Sequence, residues 1–272
     1  MQKLLVIDGN SILNRAFYGL SGRNMLKTST GIYTNAIFGF LNVLNKYIND
    51  DQYTHYVVTF DRKEPTFRHK MYDGYKATRK KMPNELAMQL PLMKEVITYL
   101  GIKIIEKAGF EADDVIGSIA KKASSEDLPV TVVTGDKDAF QLIDDNICIA
   151  YTSTRSGVTE SVDYDENMFV ERYGIKPRQM VDLKAIMGDS SDNIPGVKGI
   201  GEKGALKLIS RFGSLENVYK NIDDAGTERI RKLLLNDKEM CFLSRELSEI
   251  KNNRLKNHCI RREEDARLIL VD

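Results

Sequence analysis

Residues 130–138 read VTVVTGDKD, an apolar run followed at once by two aspartates, Asp136 and Asp138. The same pattern occurs at residues 4–10, LLVIDGN, and at residues 57–62, VVTFDR. Short continuous apolar runs of this kind are typical of strands in a parallel sheet that is covered on both faces. The carboxyl ends of such strands converge on one crevice of an open α/β sheet, so we expect the acids behind the three runs to lie together.

Five acidic clusters in all interrupt the chain, and the remaining two are FEADD at 110–114 and GDSSDN at 188–193. Carboxylates crowded into one crevice repel one another by about 4 kcal/mol per close pair, so such a group is stable only around cations. None of the three histidines lies in a cluster, and ligands that are all oxygen favour Mg²⁺ or Mn²⁺ over Zn²⁺. The predicted ligands are Asp8, Asp61, Glu111, Asp113, Asp114, Asp136, Asp138, Asp189 and Asp192.

Each cluster taken singly has a simpler explanation. Asp8 and Asp61 could cap the helix that follows each strand, and the acids at 111–114 could complement the dipole of the next helix. All five together are hard to explain as caps, because caps need no common location. The combination predicts a metal-dependent enzyme of phosphoryl transfer.

Composition is that of an ordinary globular protein. The 272 residues are 42% hydrophobic and 29% charged, with a net charge of +1, and they suffice for one large or two modest domains. No apolar run approaches the roughly 18 residues of a membrane span, and the predicted first strand leaves no room for a signal peptide. Cys148, Cys241 and Cys259 are odd in number and far apart, which favours reduced structural thiols and a cytoplasmic protein.

The charge is unevenly distributed, and residues 62–81 carry eight Lys or Arg against two acids. The same stretch interleaves the aromatic residues Phe67, Tyr72 and Tyr75. Cations beside aromatic faces suit single-stranded nucleic acid, whose phosphates and bases are both exposed. The alternative is a solvated loop whose charges serve solubility.

A glycine-rich turn, GVKGIGEKGALK at 196–207, follows the last acidic cluster directly. Its glycines let backbone N–H groups approach a phosphate closely, and the next helix adds the positive end of its dipole and two lysines. No side chain suited to reading bases is evident, so we expect contacts to the nucleic-acid backbone that are independent of sequence. Taken alone, the turn could be an ordinary connector between helices.

Strands and helices alternate up to about residue 164, which predicts a mostly parallel sheet between helices. Predicted helices include 11–18, with Ser11 as N-cap, 33–48, and one that begins near Pro83. Beyond residue 165, short helices joined by turns rich in Gly and Asn predict a helical subdomain, residues 165–272.

In combination, the motifs VIDGNS, FRHKMYDGYKATR, FEADDVIG, TGDKDAFQL and GDSSDNIPGVKGIGEK resemble those of the 5′-nuclease (flap endonuclease) superfamily. The resemblance is closest to the N-terminal 5′–3′ exonuclease domain of bacterial DNA polymerase I, and it runs through nearly the whole chain. It implies an α/β nuclease core, residues 1–164, with a helical arch over the site at about 62–100. It also implies a helix-three-turn-helix DNA-binding motif at about 185–220, within the helical subdomain.

The resemblance further implies roles for single residues. The family's first ion is held mainly at positions that match Asp8, Asp61, Glu111 and Asp113. Its second cluster matches Asp136, Asp138, Asp189 and Asp192, with Asp114 acting through water. Lys76 and Arg15 match basic residues that contact the scissile phosphate, and Tyr75 matches an aromatic residue that stacks on the unpaired 5′ nucleotide. Other predicted DNA contacts are Arg79, Lys80, Gly196, Lys198, Gly199, Gly201, Lys203 and Lys207.

The implied activity is that of a structure-specific 5′–3′ exonuclease or flap endonuclease. It would hydrolyse DNA phosphodiesters with two Mg²⁺ ions, for which Mn²⁺ can substitute, during primer or flap removal and repair. The resemblance also implies K⁺ at the glycine turn and sequence-independent binding of 5′-flap or junction DNA. We expect a monomer in the bacterial cytoplasm, associated with the nucleoid, without a membrane partner and with a polymerase domain in the same or a separate chain.

Two other functions remain open. A PIN-type ribonuclease shares an acidic crevice on a similar sheet, but the basic stretch and the glycine turn speak against it. A non-catalytic module that binds DNA junctions is the second alternative, and the complete set of acids opposes it.

Overall fold

The structure, a computed structural model, describes residues 2–21, 25–50, 52–155, 158–252, 259–261 and 269–271. A six-stranded sheet forms its centre, in the order β3-β2-β1-β4-β5-β6, with every neighbouring pair parallel except the last. A separate two-stranded sheet, β7-β8, lies near the C-terminus. The strands are β1 Leu4–Asp8, β2 His55–Thr59, β3 Lys103–Ile105, β4 Val130–Thr134, β5 Ile147–Arg155, β6 Val158–Tyr164, β7 Cys259–Arg261 and β8 Ile269–Val271.

Twelve α-helices are described, together with three short 3₁₀ turns at Lys137–Leu142, Pro177–Gln179 and Ile222–Asp224. The helices are α1 Gly9–Gly19, α2 Asn35–Ile48, α3 Phe67–Met71, α4 Asn84–Ala87, α5 Gln89–Tyr99, α6 Ala112–Ser124, α7 Glu166–Tyr173, α8 Met180–Met187, α9 Glu202–Phe212, α10 Leu215–Lys220, α11 Glu228–Asn236 and α12 Lys238–Ser248. The helical character predicted for residues 165–272 is confirmed as far as Ser248, whereas β7 and β8 were not predicted.

The sheet is buried on both faces, as the uninterrupted apolar runs predict. All five residues of β1 and of β4 are buried. One face packs against α1, α2 and α5, and the other against α6 and the helices of the C-terminal half. The predicted α/β sheet flanked by helices is confirmed.

The register of the parallel strands brings their carboxyl ends level. Asp8 pairs with Thr59 of β2, and Ile7 pairs with Val133 of β4. Any side chain that follows one of these strands by one or two residues therefore reaches the same edge of the sheet. This edge carries the candidate site.

The first helix begins two residues before its predicted start. Its N-cap is Asp8 and not Ser11, because β1 runs directly into α1 and the Asp8 carboxylate accepts a hydrogen bond from the Ser11 amide, 2.9 Å long. The helix predicted from Pro83 is divided into α4 and α5. Met93 and Ile97 of α5 are 0% exposed in the core, so the second half of the segment predicted as the arch packs against the sheet.

Two further points concern the whole chain. No α-helix among the described residues has both the length and the apolar character that crossing a bilayer requires. Cys148 and Cys241 are free thiols, and the buried Cys241 lies 3.2 Å from the carbonyl oxygen of Ala185. The thiol of Cys259 lies outside the part of the chain whose side chains are described.

Candidate active site

Six of the nine predicted ion ligands line one cavity of about 210 Å³ at the carboxyl edge of the sheet. They arrive there from strand ends, from the start of α6 and from the loop behind α8. The six are Asp8, Asp61, Glu111, Asp113, Asp136 and Asp192.

A second cavity, of about 450 Å³, is lined by Asp136, Asp138 and Asp189. Asp136 lines both cavities, so the two adjoin at that residue. Together they bring in eight of the predicted ligands. The ninth, Asp114, lines neither and is 1% exposed.

Neutral donors orient the carboxylates at the strand ends. The two oxygens of Asp8 accept hydrogen bonds from the Ser11 amide at 2.9 Å and the Thr134 hydroxyl at 2.7 Å. Asn10 and Asp61 bond each other twice, through the Asn10 side-chain amide at 2.9 Å and the Asp61 backbone amide at 3.1 Å. Sequence reasoning missed Asn10 and Thr134, although both lie inside the quoted motifs beside a predicted ligand.

Among the described residues, no lysine or arginine forms an ion pair with Asp8, Asp61 or Asp113, and the pKa values of these three acids rise. Burial, with repulsion from Asp136 and Asp61 added, raises the pKa of Asp8 to about 7. Loss of solvation and four neighbouring carboxylates raise the pKa of Asp113 well above its usual value. Burial also raises the pKa of Asp61. Raised pKa values mean that ionising these acids is costly without a further counter-charge, which favours a bound cation.

On its other side the cavity carries basic groups from the predicted arch. The Lys76 ammonium lies 2.6 Å from Glu111 Oε1 and 3.7 Å from Asp192 Oδ2, and Arg79 also pairs with Asp192. Burial opposes ionisation of Glu111, but Lys76 and Arg68 outweigh it and lower the pKa. Lys76 has a φ of +54°, a left-handed conformation that costs about 1–3 kcal/mol in a residue other than glycine. The backbone is therefore strained where it places this ammonium.

Tyr75, which is predicted to stack on the unpaired nucleotide, is buried beside the cavity. Its side chain is 3% exposed, so the ring presents no open face to a nucleotide. Its hydroxyl lies 2.8 Å from Glu111 Oε2 and 3.1 Å from Asp192 Oδ2. Burial, reinforced by these carboxylates, raises the Tyr75 pKa, so the phenol keeps its proton and holds the two acids.

Lys184 of α8 is a second ammonium that sequence reasoning missed. Its side chain is 8% exposed and pairs with Asp138 and, at 2.6 Å, with Asp189. Burial opposes ionisation of Asp189, but Lys184 outweighs it and lowers the pKa to about 2. Burial and repulsion from Asp136 raise the pKa of Asp138 to about 7 despite the same ammonium.

Lysine ammonium groups occupy several of the carboxylate oxygens that an ion would need. Across the described ranges, no three acidic, histidine or cysteine side chains stand close enough together to hold one metal ion. Oxygens of Glu111, Asp138 and Asp189 point instead at lysines. An ion would have to draw these oxygens away from the ammonium groups, and the all-oxygen donor set fits a hard divalent cation.

Arg15 is not among the residues that line the first cavity, as Lys76 is. Its guanidinium donates to the carbonyl of Gly135 and lies over the Tyr151 ring, 5.5 Å from the centroid. A Cβ at residue 135 would collide with this guanidinium, so glycine leaves the space that it occupies. Arg15 thus contacts the backbone just before Asp136, whereas Lys76 contacts Glu111.

The glycine turn between α8 and α9 divides into a packed part and an open part. Gly196 has a φ of +61°, and a Cβ there would lie 2.3 Å from the backbone nitrogen of Gly188, so its glycine is needed for packing. Its amide donates to the Ser244 hydroxyl at 3.0 Å. Gly201, the N-cap of α9, has open space around it. Lys80, Lys198, Gly199, Lys203 and Lys207 are exposed.

Comparison with known families assigns both halves of the chain. Residues 3–174 match the profile described as 5′-3′ exonuclease, N-terminal resolvase-like domain, and residues 175–261 match that of the 5′-3′ exonuclease C-terminal SAM fold. The chain belongs to the 5′-3′ exonuclease family. The predicted family is confirmed, as is the α/β sheet with a helical domain behind it.

Curated relatives of this 5′-3′ exonuclease chain are longer proteins. It is 44% identical over 251 residues to DNA polymerase I of Lactococcus lactis subsp. cremoris, covering 91% of the chain and 28% of the relative. It is 40% identical over 251 residues to the thermostable DNA polymerase I of Thermus thermophilus, covering 92% and 29%. The chain thus spans less than a third of these relatives.

Solved structures show the same fold. The T5 5′-exonuclease with bound zinc aligns with a TM-score of 0.72 at 22% identity, covering 93% of this exonuclease chain and 91% of the other. The catalytic core of Rad2 in complex with a DNA substrate aligns with a TM-score of 0.57 at 20% identity, covering 92% and 80%.

Proposed function

We propose that this chain hydrolyses DNA phosphodiesters at 5′ flaps and frayed 5′ ends, using divalent metal ions held by the eight carboxylates of the two cavities. The observation that carries the proposal is their crowding: eight acids from distant parts of the sequence line adjoining cavities, and several have raised pKa values. Relatives support it, since a T5 flap endonuclease was solved with DNA and metal ions. Asp114 stands apart, because its oxygens already accept four hydrogen bonds from the protein.

We assign two Mg²⁺ ions to the site, with Mn²⁺ as a substitute, since the donors are all oxygen. Bound ions of this kind supply an activated water and stabilise the departing oxygen. We assign Asp8, Asp61 and Asp113 as ion ligands at the first cavity, and Asp138 and Asp189 as ion ligands at the second. We assign K⁺ at the turn 196–201 on the family resemblance alone.

Lys76 is assigned to the scissile phosphate. In this structure the Lys76 ammonium pairs with Glu111. An ion bound to the Glu111 oxygens would release the Lys76 ammonium toward the cavity. There it would compensate the negative charge that develops on the phosphate. Arg15 is kept as a contact of the strand being cut, beside Asp136.

DNA outside the cleavage point is assigned to exposed basic groups. Lys198, Lys203 and Lys207 border the glycine turn and would bind duplex phosphates without reading sequence. Arg79 and Lys80 continue the positive surface toward the cavity. Removal of primers or flaps and repair follow from such a substrate. The longer relatives, named DNA polymerase I, support a polymerase domain in the same chain. A monomer that acts in the bacterial cytoplasm is part of the same proposal.

A cleavage assay tests the proposal. A 5′-labelled flap on a DNA junction should be cut with Mg²⁺ or Mn²⁺ and not with EDTA, leaving a 5′-phosphate and a 3′-hydroxyl. Preference for single-stranded RNA would indicate the PIN-type alternative. Junction binding without cleavage in any divalent ion would indicate a binding module.

A further inference from the structure

Arg68 uses its entire hydrogen-bonding capacity inside the protein. It lies on α3, within the basic stretch at residues 62–81, and is 3% exposed. A guanidinium has five N–H donors, and all five are engaged. Two bond the Asp114 carboxylate at 2.7 and 2.8 Å, one lies 3.4 Å from Glu111, and two bond the carbonyls of Leu247 and Glu249 at 2.8 and 2.7 Å.

Asp114 is saturated in the same way. An ionised carboxylate offers about four lone-pair positions. Arg68 fills two, the Glu111 amide a third at 3.1 Å, and the Lys251 amide the fourth at 2.9 Å. An ion or its water would have to break one of these bonds in a site that is 1% exposed.

Apart from Glu111, the other partners of Arg68 and Asp114 belong to one segment, residues 247–252, which we name the C-terminal strap. It contains the end of α12 and the extended residues behind it. Gln141 bonds it twice, to the Ser248 carbonyl at 3.1 Å and to the Ile250 amide at 2.8 Å. Ile250 packs so closely on α6 that a Cβ at Gly117 would lie 2.6 Å from its side chain.

We propose that Asp114 is a positioning residue and not an ion ligand. Through their hydrogen bonds, Asp114 and Arg68 hold three elements together, and we name this pair the lock. The three elements are the basic stretch at α3, the start of α6 and the C-terminal strap. The start of α6 carries Glu111 and Asp113, so the lock fixes the carboxylates that face the first cavity. This role rests on the proposed function, because it presumes that Glu111 and Asp113 hold an ion.

The lock also links the site to whatever follows the strap. In the longer relatives, most of the protein lies outside the matched region. A pull on residues 247–252 would act on Asp114 and Arg68 directly, without passing through the sheet. The strap thus connects the C-terminal side of the chain to the start of α6 through hydrogen bonds.

The test measures ion binding and strap order separately, in the full 272-residue chain. Mn²⁺ affinity is measured by electron paramagnetic resonance, and amide exchange is followed across residues 247–252. Arg68→Met and Asp114→Asn should each weaken Mn²⁺ binding about 10-fold and should speed exchange of the Lys251 amide. The double variant should bind Mn²⁺ no worse than either single variant, since both break one unit.

Gln141→Ala is a milder variant of the lock, and Lys121→Met is the matched control. Gln141→Ala touches no acid, yet it should weaken Mn²⁺ binding by a smaller factor because it loosens the strap. Arg68→Lys should restore part of the affinity. Lys121→Met removes the contacts of α6 with Leu142 and Asp144, so it should lower the Tm and leave Mn²⁺ affinity unchanged.

The opposite pattern would overturn the assignment. If Asp114→Asn lost Mn²⁺ affinity while Arg68→Met kept it, Asp114 would be an ion ligand. If Arg68→Met did not fold, unchanged Mn²⁺ affinity in Gln141→Ala, despite faster strap exchange, would overturn the lock. Failure of the unaltered chain to bind Mn²⁺ would overturn the proposed function itself.

Discussion

Replacing Lys184 by Met should cost stability in a way that divalent ions repair. The substitution keeps most of the side-chain volume but removes an ammonium that is 8% exposed and pairs with Asp138 and Asp189. Breaking a buried ion pair by removing one partner costs about 3–5 kcal/mol, because the remaining charges are left uncompensated. At about 2–4 °C per kcal/mol, the Tm in EDTA should fall by roughly 6–20 °C.

Divalent ions should reverse most of this loss. An ion that binds only the folded state at about 100 times its Kd contributes about 2.7 kcal/mol, and in the variant it no longer competes with an ammonium. Scanning calorimetry at pH 8, in EDTA and in a Mg²⁺ series, should show a larger Mg²⁺-induced rise in Tm for Lys184→Met than for the unaltered chain. Lys232→Met, which breaks an exposed pair with Glu228, is the control and should change the Tm little. Equal losses of Tm in EDTA and in Mg²⁺ would refute the reasoning.

The remaining predictions concern the acids, pH, the turn and DNA. Asp113→Asn should cut single-turnover cleavage by at least about 100-fold while junction binding in Ca²⁺ persists, as gel shift and quench-flow would show. The Asp8 pKa is raised from 3.8 to about 7, so the carboxyl loses its proton at lower pH in the unfolded chain than in the folded one. In urea melts without ions, the free energy of unfolding should therefore fall between about pH 4 and pH 7, by about 1.4 kcal/mol per pH unit. A flat profile would contradict the raised pKa. Gly196→Ala, with a Cβ 2.3 Å from a backbone nitrogen and a φ of +61°, should cost about 4 kcal/mol or more in urea melts, whereas Gly201→Ala, in open space, should cost far less. Lys203→Ala should weaken junction binding and flatten its salt dependence with turnover at saturating DNA unchanged, and a slower saturated rate would count against a pure binding role.

The sheet and its acidic edge could be predicted because both depend on local sequence. An apolar run fixes a buried strand, and an acid directly behind it must appear at the strand's carboxyl end. Asp8 shows that the simple and the functional explanation can both hold, since it caps α1 and lines the cavity. The prediction of Ser11 as the N-cap was wrong. Ser11 lies within α1, because Asp8 caps this helix instead.

The cations of the site could not be predicted because their partners are distant in sequence. Lys184 lies 46 residues from Asp138 and sits in a helix whose other residues are mainly apolar, so nothing local distinguishes it from a solvated lysine. Tyr75 looks suited to stacking in a basic stretch, but tertiary packing buries it against Glu111, 36 residues away. Arg68 likewise finds Leu247 at a separation of 179 residues. Burial of polar side chains is set by packing, which a single sequence does not report.

The eight carboxylates are proposed to hold divalent ions with which the enzyme cuts DNA at a 5′ junction. Single-turnover cleavage of a 5′-flap substrate, measured against free Mg²⁺ at saturating enzyme, tests it most directly. The rate should be zero in EDTA, rise with more than first-order dependence on Mg²⁺ because two ions are needed, and release a product with a 5′-phosphate. Cleavage that persists in EDTA, or a junction that is bound but never cut in Mg²⁺ or Mn²⁺, would contradict the account.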